Sequence, residues 1–145
     1  MATEGTLYLN LPVRNLERSK AFFTALGFEF DPRFEDARSA CMRLSEGASV
    51  MLLTDDRFKE FTRRELIDRS RDTGGIFSIE LPTRFDVDEL TDKALELGGS
   101  YAMPPLDLGF MYNRSFYDPD GHHWEAFFMD EARFEAQREQ PAPGP

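Results

Sequence analysis

The sequence predicts an α+β protein built from two βαβββ modules, and three observations carry that reading. An alternating apolar strand followed by a capped helix occurs twice. Each helix ends at a glycine, and the two glycines, Gly27 and Gly98, stand 71 residues apart. Strand-like runs, not another helix, follow each of those stops, which separates the plan from a purely parallel βαβ repeat.

In the first half, Leu7-Tyr8-Leu9-Asn10-Leu11-Pro12-Val13 alternates strictly and puts Leu7, Leu9, Leu11 and Val13 on one face. Asn15 is placed to cap a helix over residues 16–26, on which Leu16, Phe23 and Leu26 share a face flanked by Phe22 and Ala25. Gly27 stops it. Strands are expected over residues 28–34, 39–44 and 49–53, with Ser45-Glu46-Gly47 as a turn.

The second half repeats the order. Ile76-Phe77-Ser78-Ile79-Glu80-Leu81 alternates with Phe77, Ile79 and Leu81 on one face. Asp86, with Glu89, reads as the cap of a helix over residues 87–97, at the same 71-residue spacing from Asn15. Val87, Leu90, Ala94 and Leu97 form its apolar stripe, and Gly98-Gly99 ends it. A short strand over 100–102 and longer ones over 110–117 and 122–128 follow, the last two joined by the turn Asp118-Pro119-Asp120-Gly121. The whole chain, residues 1–145, then reads as one domain: module one over about 6–54, an inserted helical connector over 55–73, module two over about 74–129, and a tail over 130–145. The connector carries Phe58, Phe61, Leu66 and Ile67 and reads as a solvated helix, a lid or a dimer contact. Within the tail, residues 131–140 read as a short helix and 141–145 as disordered.

Composition excludes several function classes. With 27 acidic residues against 17 Lys and Arg, the formal charge of −10 argues against nucleic acid and against an anionic membrane surface. No apolar run reaches the length of a membrane-spanning helix, and no signal peptide is visible. The one cysteine, Cys41 beside Met42, reads as a packed thiol and fits a cytoplasmic location. A G-x-S-x-G elbow, a P-loop, a dinucleotide-binding glycine fingerprint and a zinc-type Cys pair are all missing. Gly74-Gly75 precedes a strand and reads as a turn, not a phosphate cradle.

Three motifs carry a resemblance. Leu11-Pro12-Val13-Arg14-Asn15-Leu16-Glu17-Arg18-Ser19-Lys20-Ala21-Phe22-Phe23 with Leu26-Gly27-Phe28 resembles the opening strand and helix of the vicinal-oxygen-chelate superfamily, which includes glyoxalases, bleomycin-resistance proteins and extradiol dioxygenases. Asp118-Pro119-Asp120-Gly121-His122-His123-Trp124-Glu125 resembles its closing hairpin, and Ala94-Leu95-Glu96-Leu97-Gly98-Gly99 lies between them. The chain looks closest to the glyoxalase-like, lactoylglutathione-lyase-like branch and not to a member with a defined reaction. The resemblance implies sheets curled around a central cleft, a homodimer, and in many members a divalent ion that polarises substrate oxygens.

At the positions where the family places its metal ligands stand Tyr8, Leu52 (or Met51, one register step away), Ile76 and Glu125. Only Glu125 matches a ligand type, whereas a divalent cation takes about four to six N or O donors. Asn10, Glu80 and His123 are the residues left to make up the number. The expectation is therefore a small-molecule binding protein without a catalytic metal. The alternative is a metal-dependent lyase, isomerase or dioxygenase using Ni, Zn, Mn or Fe through Glu125 and unusual partners.

The candidate ligand-binding residues are Tyr8, Asn10, Ser78, Glu80, Tyr112, Arg114, Phe116, His123 and Glu125, with His123 and Glu125 as candidates for catalysis. A hairpin closing with Tyr117 opposite His122 puts Phe116 opposite His123, Arg114 opposite Glu125 and Tyr112 opposite Phe127. That register predicts an Arg114–Glu125 ion pair in place of a metal, with a purely structural cross-strand pair as the competing role. His122 is expected to serve the turn, and Trp124 to pack against the second helix.

Overall fold

The structure, a computed structural model, describes residues 4–139. The chain forms two compact units, divided between Asp72 and Thr73.

The first unit runs β1 (Leu7–Val13), α1 (Leu16–Ala25), β2 (Glu29–Phe30), a 3-10 turn (Pro32–Phe34), β3 (Ser39–Ser45), β4 (Ala48–Thr54) and α2 (Asp55–Lys59). Its sheet has the order β1-β4-β3-β2, with β1 parallel to β4 and the other pairs antiparallel. Alternation places Leu11 and Val13 beside Leu52 and Thr54, and Leu52 in turn pairs with Ala40. Leu11, Val13, Ala40, Leu52 and the Phe22 and Phe23 side chains of α1 are buried. Removing that apolar surface from water is what holds helix to sheet. Asn15 caps α1 as expected, its side chain accepting from the Arg18 N–H at 3.0 Å.

Two expectations fail here, both because short side chains capture the backbone. The run over 28–34 keeps only two residues as a strand. Asp31 then accepts the Arg33 N–H at 3.0 Å, and Pro32 fixes the first position of a 3-10 turn. The connector over 55–73 is helical only through Asp55–Lys59. Beyond it, Thr62 takes the Arg64 N–H, and Asp68 takes both the N–H and the hydroxyl of Ser70. Phe61, 66% exposed, is not part of any core.

The second unit runs β5 (Ile76–Glu80), α3 (Arg84–Glu96), β6 (Ser100–Tyr101), β7 (Leu106–Asp107), β8 (Met111–Tyr117), β9 (His123–Met129) and α4 (Glu131–Glu139). Its sheet order, β5-β9-β8-β6, repeats that of the first unit, with β5 parallel to β9. The added strand β7 pairs with β8. Trp124, Ala126 and Phe116 are buried on the face that α3 covers with Val87, Thr91 and Ala94. The α+β class and the duplicated βαβββ order therefore stand. Residues 141–145 lie outside the described residues.

The cap of α3 is Thr83, not Asp86. Thr83 Oγ1 accepts the Asp86 N–H at 3.0 Å and donates to Asp86 Oδ2 at 2.7 Å, so Asp86 is the third-residue partner in a capping box. The helix accordingly has 13 residues against 10 in α1. What the two modules share is the stop. Gly27 (φ 103°) and Gly98 (φ 113°) both adopt the left-handed conformation, which glycine takes without the cost a Cβ imposes.

The closing hairpin is one residue longer than expected. Its loop spans residues 118–122, closed by the Asp118 N–H donating to the His122 carbonyl at 3.0 Å. Tyr117 therefore pairs with His123, Phe116 with Trp124, Ser115 with Glu125, Arg114 with Ala126, Asn113 with Phe127 and Tyr112 with Phe128. Because side chains alternate, this one-residue shift moves every side chain of β8 to the other face relative to β9.

Candidate functional site

The extra loop residue has an identifiable cause. Asp118, 3% exposed, accepts the N–H of Asp120 at 2.9 Å, the N–H of His122 at 3.0 Å and the indole N–H of Trp124 at 3.0 Å. One carboxylate thus ties the turn to the first residues of β9, and Gly121 (φ 89°) supplies the left-handed step. Burial pushes the Asp118 carboxyl above its ordinary range, opposed by the charge of His122 and by the N–H donors of Trp124 and His122, while the neighbouring Asp120 charge adds to the rise. His122 serves the turn as expected, and its ring meets Phe77 edge-on at 6.5 Å.

On the face of the second sheet opposite α3, the paired strands gather Ser78, Glu80, Asn113, Ser115, Tyr117, His123, Glu125 and Phe127. At its middle, Glu125 Oε1 accepts the Asn113 amide N–H at 2.5 Å, and Oε2 receives the Ser78 hydroxyl at 3.4 Å. Ser78 and Asn113 come from the two strands that flank β9, so the carboxylate is held from both sides by neutral donors. Beside it, the His123 ring lies edge-on to Tyr117 with centroids 5.3 Å apart. Leu106 of β7 pairs with Asn113, and the Met103 N–H donates to Ser115 Oγ at 3.2 Å, which lays an exposed apolar segment along the rim.

Three expected members of this face stand elsewhere. Tyr112, Arg114 and Phe116 point to the α3 side, and the proposed Arg114–Glu125 pair does not form. Arg114 Nη1 instead meets Asp88 Oδ1 at 3.1 Å and Asp92 Oδ1 at 2.8 Å, one turn apart on α3. Burial works against the guanidinium charge, but the hydrogen bonds to Asp92 and Asp88 outweigh it and raise the Arg114 pKa. Tyr112 donates to the same Asp88 at 2.7 Å, and burial together with that carboxylate raises its phenol. Arg84 lies over the Tyr112 ring at 4.9 Å and forms two hydrogen bonds with Asp107, at 2.8 and 2.9 Å. These contacts bind α3 to the sheet. Phe116, 2% exposed, is core.

In the first unit, Tyr8 and Asn10 lie on the face opposite α1, with Tyr8 paired to Ser49 and Asn10 to Met51; both are exposed. Leu52 points to the α1 side and is fully buried, so of the two positions on β4 only Met51 shares a face with Tyr8. Cys41, opposite Met51, is buried as expected. Nearby, Arg33 grips Asp31 through Nε and Nη2, the latter at 2.7 Å, and holds that carboxyl down at about 2. Among the described residues no three His, Cys, Asp or Glu side chains are grouped as metal ligands would be.

Asn113 was missed because it stood on the wrong side of the assumed register. Asp88 and Asp92 had a visible signal, two carboxylates four apart on a helix, that points to a cation on the facing strand.

A sequence profile described as the Glyoxalase/Bleomycin resistance protein/Dioxygenase superfamily matches residues 5–126, and the chain belongs to that superfamily. Among solved structures, it is similar to the hypothetical protein SA1046 from S. aureus, at 26% identity and a TM-score of 0.73 over 88% of this chain and 95% of that one. It is also similar to a glyoxalase-related enzyme from Fulvimarina pelagi (19% identity, TM-score 0.72, covering 87% of this chain and 88% of that one). A third likeness is to a glyoxalase/bleomycin resistance protein/dioxygenase family enzyme from Burkholderia phytofirmans PsJN (15%, 0.69, 84% and 96%). The last two likenesses show the fold alone. No curated protein matches the chain.

Proposed function

We propose that this protein binds a small molecule on the face of its second sheet opposite α3, with Glu125 as the polar anchor and no catalytic metal. The observation that carries the reading is the setting of Glu125. Its carboxylate accepts from one amide and one hydroxyl, with no cation in ion-pair range among the described residues, so lone pairs remain for a ligand. A neighbouring Tyr117–His123 ring pair and the apolar rim at Met103 and Leu106 suit a ligand with an apolar body and an N–H or ammonium donor. The donors around Glu125 would compete with a metal for its oxygens, and neither Asn113 nor Ser78 adds a charged ligand.

The second reading is a metal-dependent lyase, isomerase or dioxygenase, favoured by family membership and by the match of Glu125 to a family ligand position. Elemental analysis of protein purified without chelators separates the two. Substoichiometric Ni, Zn, Mn and Fe is expected, and one equivalent of any of them favours the enzyme. In a screen of aromatic amines by thermal shift, Glu125→Gln is expected to weaken a hit about tenfold or more, the loss of one charge-assisted hydrogen bond. An unchanged affinity removes Glu125 from the site.

The protein acts in the cytoplasm as a homodimer on this reading. Support for the dimer is the exposed apolar surface of the edge strands, Leu7 and Tyr8 on β1 and Ile76 on β5. Light scattering tests it, with twice the mass of 16.7 kDa expected and a monomer at micromolar concentration overturning it.

A further inference from the structure

On the Glu125 face of the second sheet, His123 is only 8% exposed. It stands two residues before Glu125 on β9, between Tyr117 of β8 and Ile76 of β5. The Tyr117 ring meets the imidazole edge-on at 5.3 Å, and no hydrogen bond reaches either ring nitrogen from the described residues. Buried polar groups are nearly always hydrogen-bonded, because one taken out of water and left unmet loses its solvation for nothing. An imidazole in that state, beside a carboxylate with lone pairs to spare, points to a ligand that meets both.

The spacing of the two groups limits what can bridge them. Alternate residues of a strand lie about 7 Å apart on one face. Two hydrogen bonds of about 2.8 Å cover most of that distance, so the bridging ligand carries its two polar groups on neighbouring carbons. Glu125 requires a donor. The imidazole presents an N–H at one nitrogen and a lone pair at the other, so a hydroxyl, which both donates and accepts, meets it whichever nitrogen faces the ligand. A second ammonium only donates and meets just one of them. The Tyr117 ring and the exposed rim at Met103 and Leu106 suit an aromatic body.

We infer that the ligand of this face is an aromatic 1,2-amino alcohol, its ammonium on Glu125 and its hydroxyl on His123. The inference rests on the reading of Glu125 as the polar anchor and makes His123 the residue that sets specificity.

Calorimetric titration of the full-length protein with 2-amino-1-phenylethanol and with 2-phenylethylamine, which lacks only the hydroxyl, tests it. The amino alcohol is expected to bind about fivefold more tightly, the effect of one hydrogen bond. In His123→Phe, which keeps a ring against Tyr117, the two are expected to bind alike while 2-phenylethylamine keeps its parent Kd. His123→Gln, which retains a donor and an acceptor, is expected to keep part of the preference. Equal affinity of the parent protein for the two ligands overturns the proposal without recourse to a variant, and so does a preference that survives in His123→Phe. Either result leaves the proposed function standing where Glu125→Gln still weakens 2-phenylethylamine. Failure of both ligands to bind removes the amine reading of Glu125 and this inference with it.

Discussion

At the scale of single residues, Asp118 decides more than any candidate site residue. It caps its own loop through two backbone N–H groups and reaches the Trp124 indole, so the turn and the start of β9 form one unit. In Asp118→Asn, one side-chain oxygen can still serve the loop, but the new amide N–H would face the indole N–H. A loss of about 1–3 kcal/mol is expected by chemical denaturation, the cost of an unsatisfied buried donor. A variant as stable as the parent would show that the Trp124 contact contributes nothing. Glu125 differs because it is half-buried and held by neutral donors, which is what leaves it capacity for a ligand.

At the scale of elements, the contacts between α3 and β8 replace the ion pair that the sequence suggested. Arg114 has one side chain to share between Asp88 and Asp92, and Asp88 also receives the Tyr112 hydroxyl. Arg114→Met is therefore expected to lower stability by about 1 kcal/mol and to leave affinity for ligands at Glu125 unchanged. A weakened ligand with unchanged stability would reverse this assignment. The same elements show how much could be read in advance. Apart from the run over 28–34 and the added strand β7, strand and helix positions were legible to within a few residues, since apolar alternation and glycine stops are local signals. The connector was not legible, because its Asp, Ser and Thr side chains satisfy the backbone as well as a helix would.

At the scale of the whole molecule, charge governs the response to acid. Carboxylates gripped by an arginine titrate below their ordinary values: Asp31 is held by Arg33 down to about 2, Asp107 is lowered by Arg84 and Glu60 by Arg57. A carboxyl with a depressed folded-state pKa stabilises the fold above its unfolded value, about 4, and loses that contribution as pH falls through the folded value. Between neutral pH and the isoelectric point near 4.7, falling net charge relieves self-repulsion and the melting temperature is expected to hold or rise. Below about pH 4 it is expected to drop as the ion pairs protonate. A melting temperature that keeps rising down to pH 2 would show that these pairs contribute nothing.

The sequence alone determined the duplicated βαβββ order, the two glycine stops, the place of the closing turn and the core-facing side of the first strand of each module. Those follow from periods and turn chemistry that act over a few residues. Tertiary structure alone decided which side chains of β8 share a face with Glu125. A hairpin's register depends on the loop length, and one further residue held by Asp118 turns Arg114 toward α3 and Asn113 toward Glu125. With a side-chain period of two, a one-residue change in a loop is enough to exchange the two faces of a strand.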